Sequence, residues 1–175
     1  MGRTKRRPDC DDIYNDLRIQ KAFSSLPSLR TLHISSPYAL RSFVMSVEEV
    51  SQIMASICKV CPSLERLAFL VPSENLNFLY GLSNLEFLAI TTPTFFDAAH
   101  FLSVMHSLPS LKMLRVRDKS CSSAFTPFIL SQIPALREIQ LKNDTTTSRL
   151  VVPEMMTALV QRHGNSVMSL SLIHI

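Results

Sequence analysis

Cys58-Lys-Val-Cys61 has a spacing that could hold a metal or run a thiol–disulfide cycle, because two thiols three residues apart can reach one zinc ion or each other. Closed tetrahedral zinc needs two further ligands, and no second cysteine pair or nearby histidine supplies them. Cys61 also stands where leucine stands in equivalent stretches of the chain, and a free cysteine packs as a small hydrophobe. Buried structural thiols are the stronger reading. Asp97 and His100 lie three apart and could share a helix face as an acid–base pair, but a solvated face or a local helix hydrogen bond explains them better. His106 is six residues beyond His100, which is not a helical metal-binding spacing, and His163 before Gly164 suits the last turn of a helix. No serine sits in a Gly-x-Ser-x-Gly elbow, and Gly2, Gly81 and Gly164 are too dispersed to cradle a phosphate. No catalytic residue, cofactor or metal is expected, and the chain reads as a non-enzyme.

The elements that carry these residues come from a chain of 175 residues, 46% apolar and 18% charged, enough for a continuous core. Its net charge of +4 is spread along the sequence, which disfavours a dedicated nucleic-acid binder. The exception is Arg3, Lys5, Arg6 and Arg7, a cluster that suits nuclear import or a phosphate contact. Asp9, Asp11 and Asp12 follow at once, so no signal-peptide core is expected there, and no apolar run is long enough to span a membrane. With Cys10, Cys58, Cys61 and Cys121 irregularly spaced, reduced thiols are expected. Asn143-Asp144-Thr145 matches a glycosylation triplet, which is common by chance. The expectation is a cytoplasmic protein that is not secreted, with nuclear entry left open.

One phrase recurs, with apolar residues at its first, fourth, seventh and ninth positions. It runs from Leu26 to Ile34, Cys61 to Phe69, Leu82 to Ile90, Leu108 to Val116 and Ile133 to Leu141, with a weaker copy from Gly164 to Leu172. Four copies carry Pro-Ser or Pro-Ala at the second and third positions. Each phrase closes in the alternation of a half-buried strand, as in Leu32 and Ile34 between Thr31, His33 and Ser35. Between phrases the period turns helical. Ser46 with Glu49 forms a capping box ahead of Val47 to Ile57, Thr94 precedes a run from Phe95 to Met105, and Pro153 opens a helix ending near Gly164. Shorter turns are expected from Ser73 through Leu79 and from Ser122 or Ser123 to Leu130, and a further helix from Asp12 to about Phe23. Leu29, Leu32, Ile34, Leu64, Leu67 and Phe69 are expected to stack into one inner ladder.

Most phrase starts are spaced near the ~20–29 residues of leucine-rich repeats, the first and last gaps being longer. On these phrases the chain resembles an irregular, ribonuclease-inhibitor-like leucine-rich-repeat protein, similar to the repeat region of fungal F-box proteins, over about residues 12–175. The resemblance implies an α/β solenoid, a curved parallel sheet with outer helices, in about six irregular repeats. Residues 1–11 would form a flexible charged tail. The family's Asn or Cys after each strand is replaced by Pro37, Pro72, Pro93, Lys119 and Asp144, so the asparagine ladder is missing. The stretch ahead of the repeats is too short for an F-box, so ubiquitin-ligase coupling is not implied. The pattern Ser169-Leu170-Ser-Leu172-Ile-His-Ile175 stops without a polar cap. Missing repeats, or another chain over that edge, would account for it.

Alternation also names the surface expected to work. With the leucines inward, the outward side chains are Thr31, His33 and Ser35; Arg66, Ala68 and Leu70; Phe87, Ala89 and Thr91; Met113, Arg115 and Arg117; Glu138, Gln140 and Lys142. Leu70, Phe87 and Met113 would be exposed apolar residues rimmed by Arg66, Arg115 and Arg117, the composition of an interface hot spot, unless the chain's own loops cover them. The leading expectation is a protein-interaction scaffold that binds an acidic or apolar-acidic protein partner on this face, including substrate recognition of the F-box leucine-rich-repeat kind, with no membrane involved. Two alternatives stay open: a nucleic-acid-binding module using the same basic residues, and a truncated repeat fragment without an independent role.

Overall fold

The structure, a computed structural model, describes residues 21–34, 47–70, 75–91, 97–118, 127–134, 136–143, 157, 160–161 and 169–174. Its strands are β1 (Thr31–Ile34), β2 (Arg66–Phe69), β3 (Phe87–Thr91), β4 (Met113–Asp118), β5 (Glu138–Asn143) and β6 (Ser169–His174). Between them stand helix α1 (Val47–Val60), a 3-10 turn (Asn77–Leu79), α2 (Ala98–His106) and α3 (Pro127–Gln132). Residues 21–24 are also helical, at the end of the stretch expected from Asp12 to Phe23. The strands form one parallel sheet in chain order, β1 to β6, each beside its sequence neighbour. This is the leucine-rich-repeat solenoid, and its order follows from the repeat: a strand with its helix cannot bury an apolar face alone, so each unit stacks on the last. Outer helices are wider than the ~4.8 Å strand spacing, which makes the opposite sheet face the concave one.

Register aligns the phrases position for position. Leu32, Leu67, Leu88, Leu114, Ile139 and Leu170 are successive Cα partners across the sheet. Leu67, Leu88, Leu114 and Ile139 are fully buried, as are Phe69, Ile90 and Val116 two residues on. Helix α1 closes this core with Met54, Ile57 and Cys58, and α2 with Phe101, Val104 and Met105. The expected ladder is corrected at its start: Leu29, Leu32 and Ile34 are only half-buried, and Leu26 is 49% exposed where Cys61, Leu82, Leu108 and Ile133 are buried. Among the described residues β1 has a strand on one side only, so the same residue types find fewer neighbours there.

The recurring Pro-Ser has a structural reason. The amide of the phrase's fourth residue donates to the carbonyl of its first: Leu29 to Leu26, Leu64 to Cys61, Leu85 to Leu82 and Leu111 to Leu108, at 3.0–3.3 Å. Each is a four-residue turn, and Pro27, Pro62 and Pro109 occupy its second position, where the ring presets φ. Leu82-Ser-Asn-Leu85 makes the same turn without proline, entered through Gly81, whose φ of +94° suits glycine. A second device follows. The carbonyl of Arg30 accepts from both Glu65 and Arg66, that of Glu65 from Glu86 and Phe87, that of Glu86 from Lys112 and Met113, and that of Lys112 from Arg137 and Glu138. These paired bonds fix where each strand begins, and so which side chains face outward.

α2 begins at Ala98, not after Thr94, because Asp97 is its N-cap and accepts from the His100 amide at 3.0 Å. The capping residues Ser46, Ser73, Ser122 and Ser123, the post-strand residues Pro37, Pro72, Pro93, Lys119 and Asp144, and Pro153 and Gly164 lie outside the described residues.

Candidate concave-face site

The outward positions of β2, β3 and β4 meet at Phe87. Arg66 is its Cα partner on one side and Met113 on the other. Arg115, two residues beyond Met113, pairs with Ala89. The Arg66 guanidinium carbon lies 4.6 Å from the Phe87 ring centroid and that of Arg115 lies 5.8 Å away. Both fall within the range at which a cation is drawn to a ring face, each contact contributing about 0.5–1 kcal/mol at an exposed site. The sheet therefore brings Arg66, Phe87, Met113 and Arg115 together. Leu70 and Arg117 belong to the next outward row. The Leu70 amide continues the β1–β2 ladder by donating to Ile34 at 2.8 Å, and Arg117 pairs with Thr91.

Exposure differs across this face from the alternation alone. Arg66 and Arg115 are exposed, while Leu70, Phe87, Met113 and Arg117 are half-buried. Ala89 and Thr91, also expected outward, are buried at 2% and 3% exposure, and among the described residues the Thr91 hydroxyl has no hydrogen-bond partner. A methyl and a short hydroxyl between larger neighbours such as Phe87 and Arg115 lie below their tops, which accounts for Ala89.

A charged ladder beside this face went unread in the sequence. The fifth phrase position carries Arg30, Glu65, Glu86, Lys112 and Arg137. Register sets Arg30 against Glu65 in a 2.8 Å salt bridge, and Glu86 against Lys112 in another. The Lys112 ammonium holds the Glu86 carboxyl below its ordinary value, with smaller help from Arg137 and Arg66. Both pairs are open to solvent, which screens them, so neither is a main source of stability. The charges themselves were visible in the phrases, but which of them become neighbours depends on register. Among the described residues, neither Arg66 nor Arg115 makes a salt bridge. Further along, Gln140 donates to Glu138 at 2.6 Å, and Glu138 is the Cα partner of Met113.

The residues that suggested chemistry have structural places. Cys58 and Cys61 are free and buried at the α1 end, and Cys61 lies 3.9 Å from the Phe23 carbonyl. Burial, then the neighbouring Cys61, pushes the Cys58 thiol up to about 12, which opposes the thiolate that redox or zinc chemistry needs. Asp97 caps α2, and the His100 ring accepts a 3.3 Å bond from the Leu76 amide, tying α2 to the 3-10 turn. His106 contacts the Leu102 carbonyl of its own helix. Among the described residues, no group of three or more His, Cys, Asp or Glu could hold a metal, and no helix is long and apolar enough to cross a membrane. Cys10, Cys121 and His163 lie outside those residues.

No family model matches the chain, and no curated protein matches it. Among solved structures it is similar to internalin C2 from Listeria monocytogenes str. 4b F2365, at 20% identity and a TM-score of 0.48. That likeness covers 87% of this chain and 55% of the internalin chain, so this chain spans little more than half its length. The solenoid assignment stands on strand order and register in this protein itself.

Proposed function

We propose that the chain is a protein-binding module whose concave face receives a partner around Arg66, Leu70, Phe87, Met113, Arg115 and Arg117. The observation that carries this reading is the cluster on β2 to β4: one aromatic ring with two exposed guanidiniums over it, beside a methionine. Aromatic, methionine and arginine side chains are enriched where interfaces concentrate their energy. The partner's character, acidic with some apolar surface, follows from those side chains. Recognition of the kind F-box leucine-rich-repeat proteins use for their substrates is the finer form of the proposal, without ligase coupling.

The test is a pull-down comparing wild type with Phe87→Ala plus Arg115→Glu, and with Lys59→Glu on α1 as a control. Loss of partners from the concave variant alone is expected, and identical recovery by all three removes the site. A nucleic-acid ligand would use the same arginines. Its mark is generic duplex binding that falls steeply with salt, and absence of duplex binding at low salt dismisses it.

A further inference from the structure

We infer that the concave face grips an extended acidic segment of its partner, with carboxylates held by Arg66 and Arg115, and that Phe87 is the positioning residue that aims them. This rests on the concave-face reading above and specifies its partner. An apolar hot spot at Phe87 would need its ring open to a partner side chain. Instead the ring is half-buried, with Arg66 at 4.6 Å and Arg115 at 5.8 Å from its centroid. A guanidinium drawn over a ring by its charge still has its five N–H donors to offer to carboxylates. Arginine side chains lose rotamer freedom on binding, and a shared ring removes part of that cost beforehand.

Charge balance selects the ligand. In the row just ahead of the strands, Arg30 is paired with Glu65 and Lys112 with Glu86. Glu86, the carboxylate influenced by Arg66, already takes the Lys112 hydrogen bond. Arg66 and Arg115 are exposed cations without a salt bridge among the described residues, which leaves both available to carboxylates of a partner. An extended strand sets same-side side chains about 6.8 Å apart. Two guanidiniums gathered at one ring can both be reached by a segment that carries neighbouring carboxylates on one side.

The probe is a fluorescent peptide alternating Glu and Thr, with a Gln–Thr peptide of equal length beside it, titrated by anisotropy at several salt concentrations. Wild type should prefer the Glu peptide, with affinity falling as salt rises. Arg66→Gln with Arg115→Gln should weaken binding about a hundredfold, since two charge-assisted contacts are lost. Phe87→Leu should cost about five- to tenfold although it keeps apolar bulk, and Phe87→Trp should restore or exceed wild-type affinity. Melting curves on each variant separate folding from binding, and the Arg-to-Gln pair leaves the buried core untouched. Equal binding by Phe87→Leu and wild type overturns the positioning role. Equal binding of both peptides overturns the acidic class while the concave face survives. Failure of wild type to bind the Glu peptide overturns the grip, and the pull-down then judges the concave reading by itself. Tighter binding of a nucleic-acid duplex than of the Glu peptide transfers the arginines to phosphate recognition and overturns the proposal.

Discussion

On the inner face of the sheet, Leu67, Leu88, Leu114 and Ile139 stand side by side, all closed to solvent. On the outer face their chain neighbours Arg66, Phe87, Met113 and Glu138 stand equally side by side and share no chemistry. The backbone bonds that start each strand are the same for both faces. The inner positions have one solution, a branched apolar side chain that fills the space between sheet and helix. The outer positions are under a looser packing demand, met by side chains as different as Arg66, Phe87 and Met113, so their identities are available for recognition. A regular scaffold thus carries an irregular surface, and the irregularity is what a partner could read.

The largest expected effect tests that division directly. Leu88→Ala should lower unfolding free energy by about 2–5 kcal/mol through the cavity it leaves, whereas Arg115→Glu should change it by no more than about 1 kcal/mol. Urea denaturation of the two variants checks this, and equal losses would break the contrast between faces. A smaller effect sharpens it along the solenoid. Leu67 and Leu32 hold the same phrase position, but Leu67 is fully buried and Leu32 half-buried at the sheet edge. Leu67→Ala should therefore cost the full cavity figure and Leu32→Ala about 1–2 kcal/mol. Equal losses would mean that the β1 edge is as enclosed as the interior.

Titration separates the two faces more gently. The buried Cys58 thiol is raised from 9.0 to about 12, so the folded chain keeps a proton that the unfolded chain releases. Stability should be unaffected below the ordinary thiol value and fall as pH climbs from about 9.0 towards 12. Cys58→Ser, which removes the titrating thiol, should flatten that alkaline loss. Glu86 moves oppositely. Its carboxyl is lowered by Lys112, so its contribution is present above the ordinary carboxylate value and is lost as pH falls through the depressed one. Lys112→Ala should raise the Glu86 titration midpoint, read by carboxyl NMR, with little change in melting temperature because the pair is exposed.

The phrases made much of this legible. Alternation at Leu32 and Ile34, repeated at Leu67 and Phe69, located the strands, and helical periodicity located α1 to within its start. Thr94 misled because threonine and aspartate are both good N-caps, and only the hydrogen bond from His100 to Asp97 chooses between them. Ala89 and Thr91 were assigned to the outer face by parity, which gives direction but not depth. Leu26 carries the same phrase letter as Leu82, yet among the described residues an end repeat has fewer neighbours than a middle one.

By itself, the sequence determined the repeat, the side each residue faces and the class of architecture, because those depend on local periodicity of apolar side chains. Only the tertiary structure decided that Pro27, Pro62 and Pro109 set repeated turns, that Glu86 answers Lys112, and that Arg66 and Arg115 converge on Phe87. The ion pair and the two ring contacts join residues 21 to 28 positions apart, and so they wait on strand register. Register is fixed by the stacked core as a whole, which no single phrase contains.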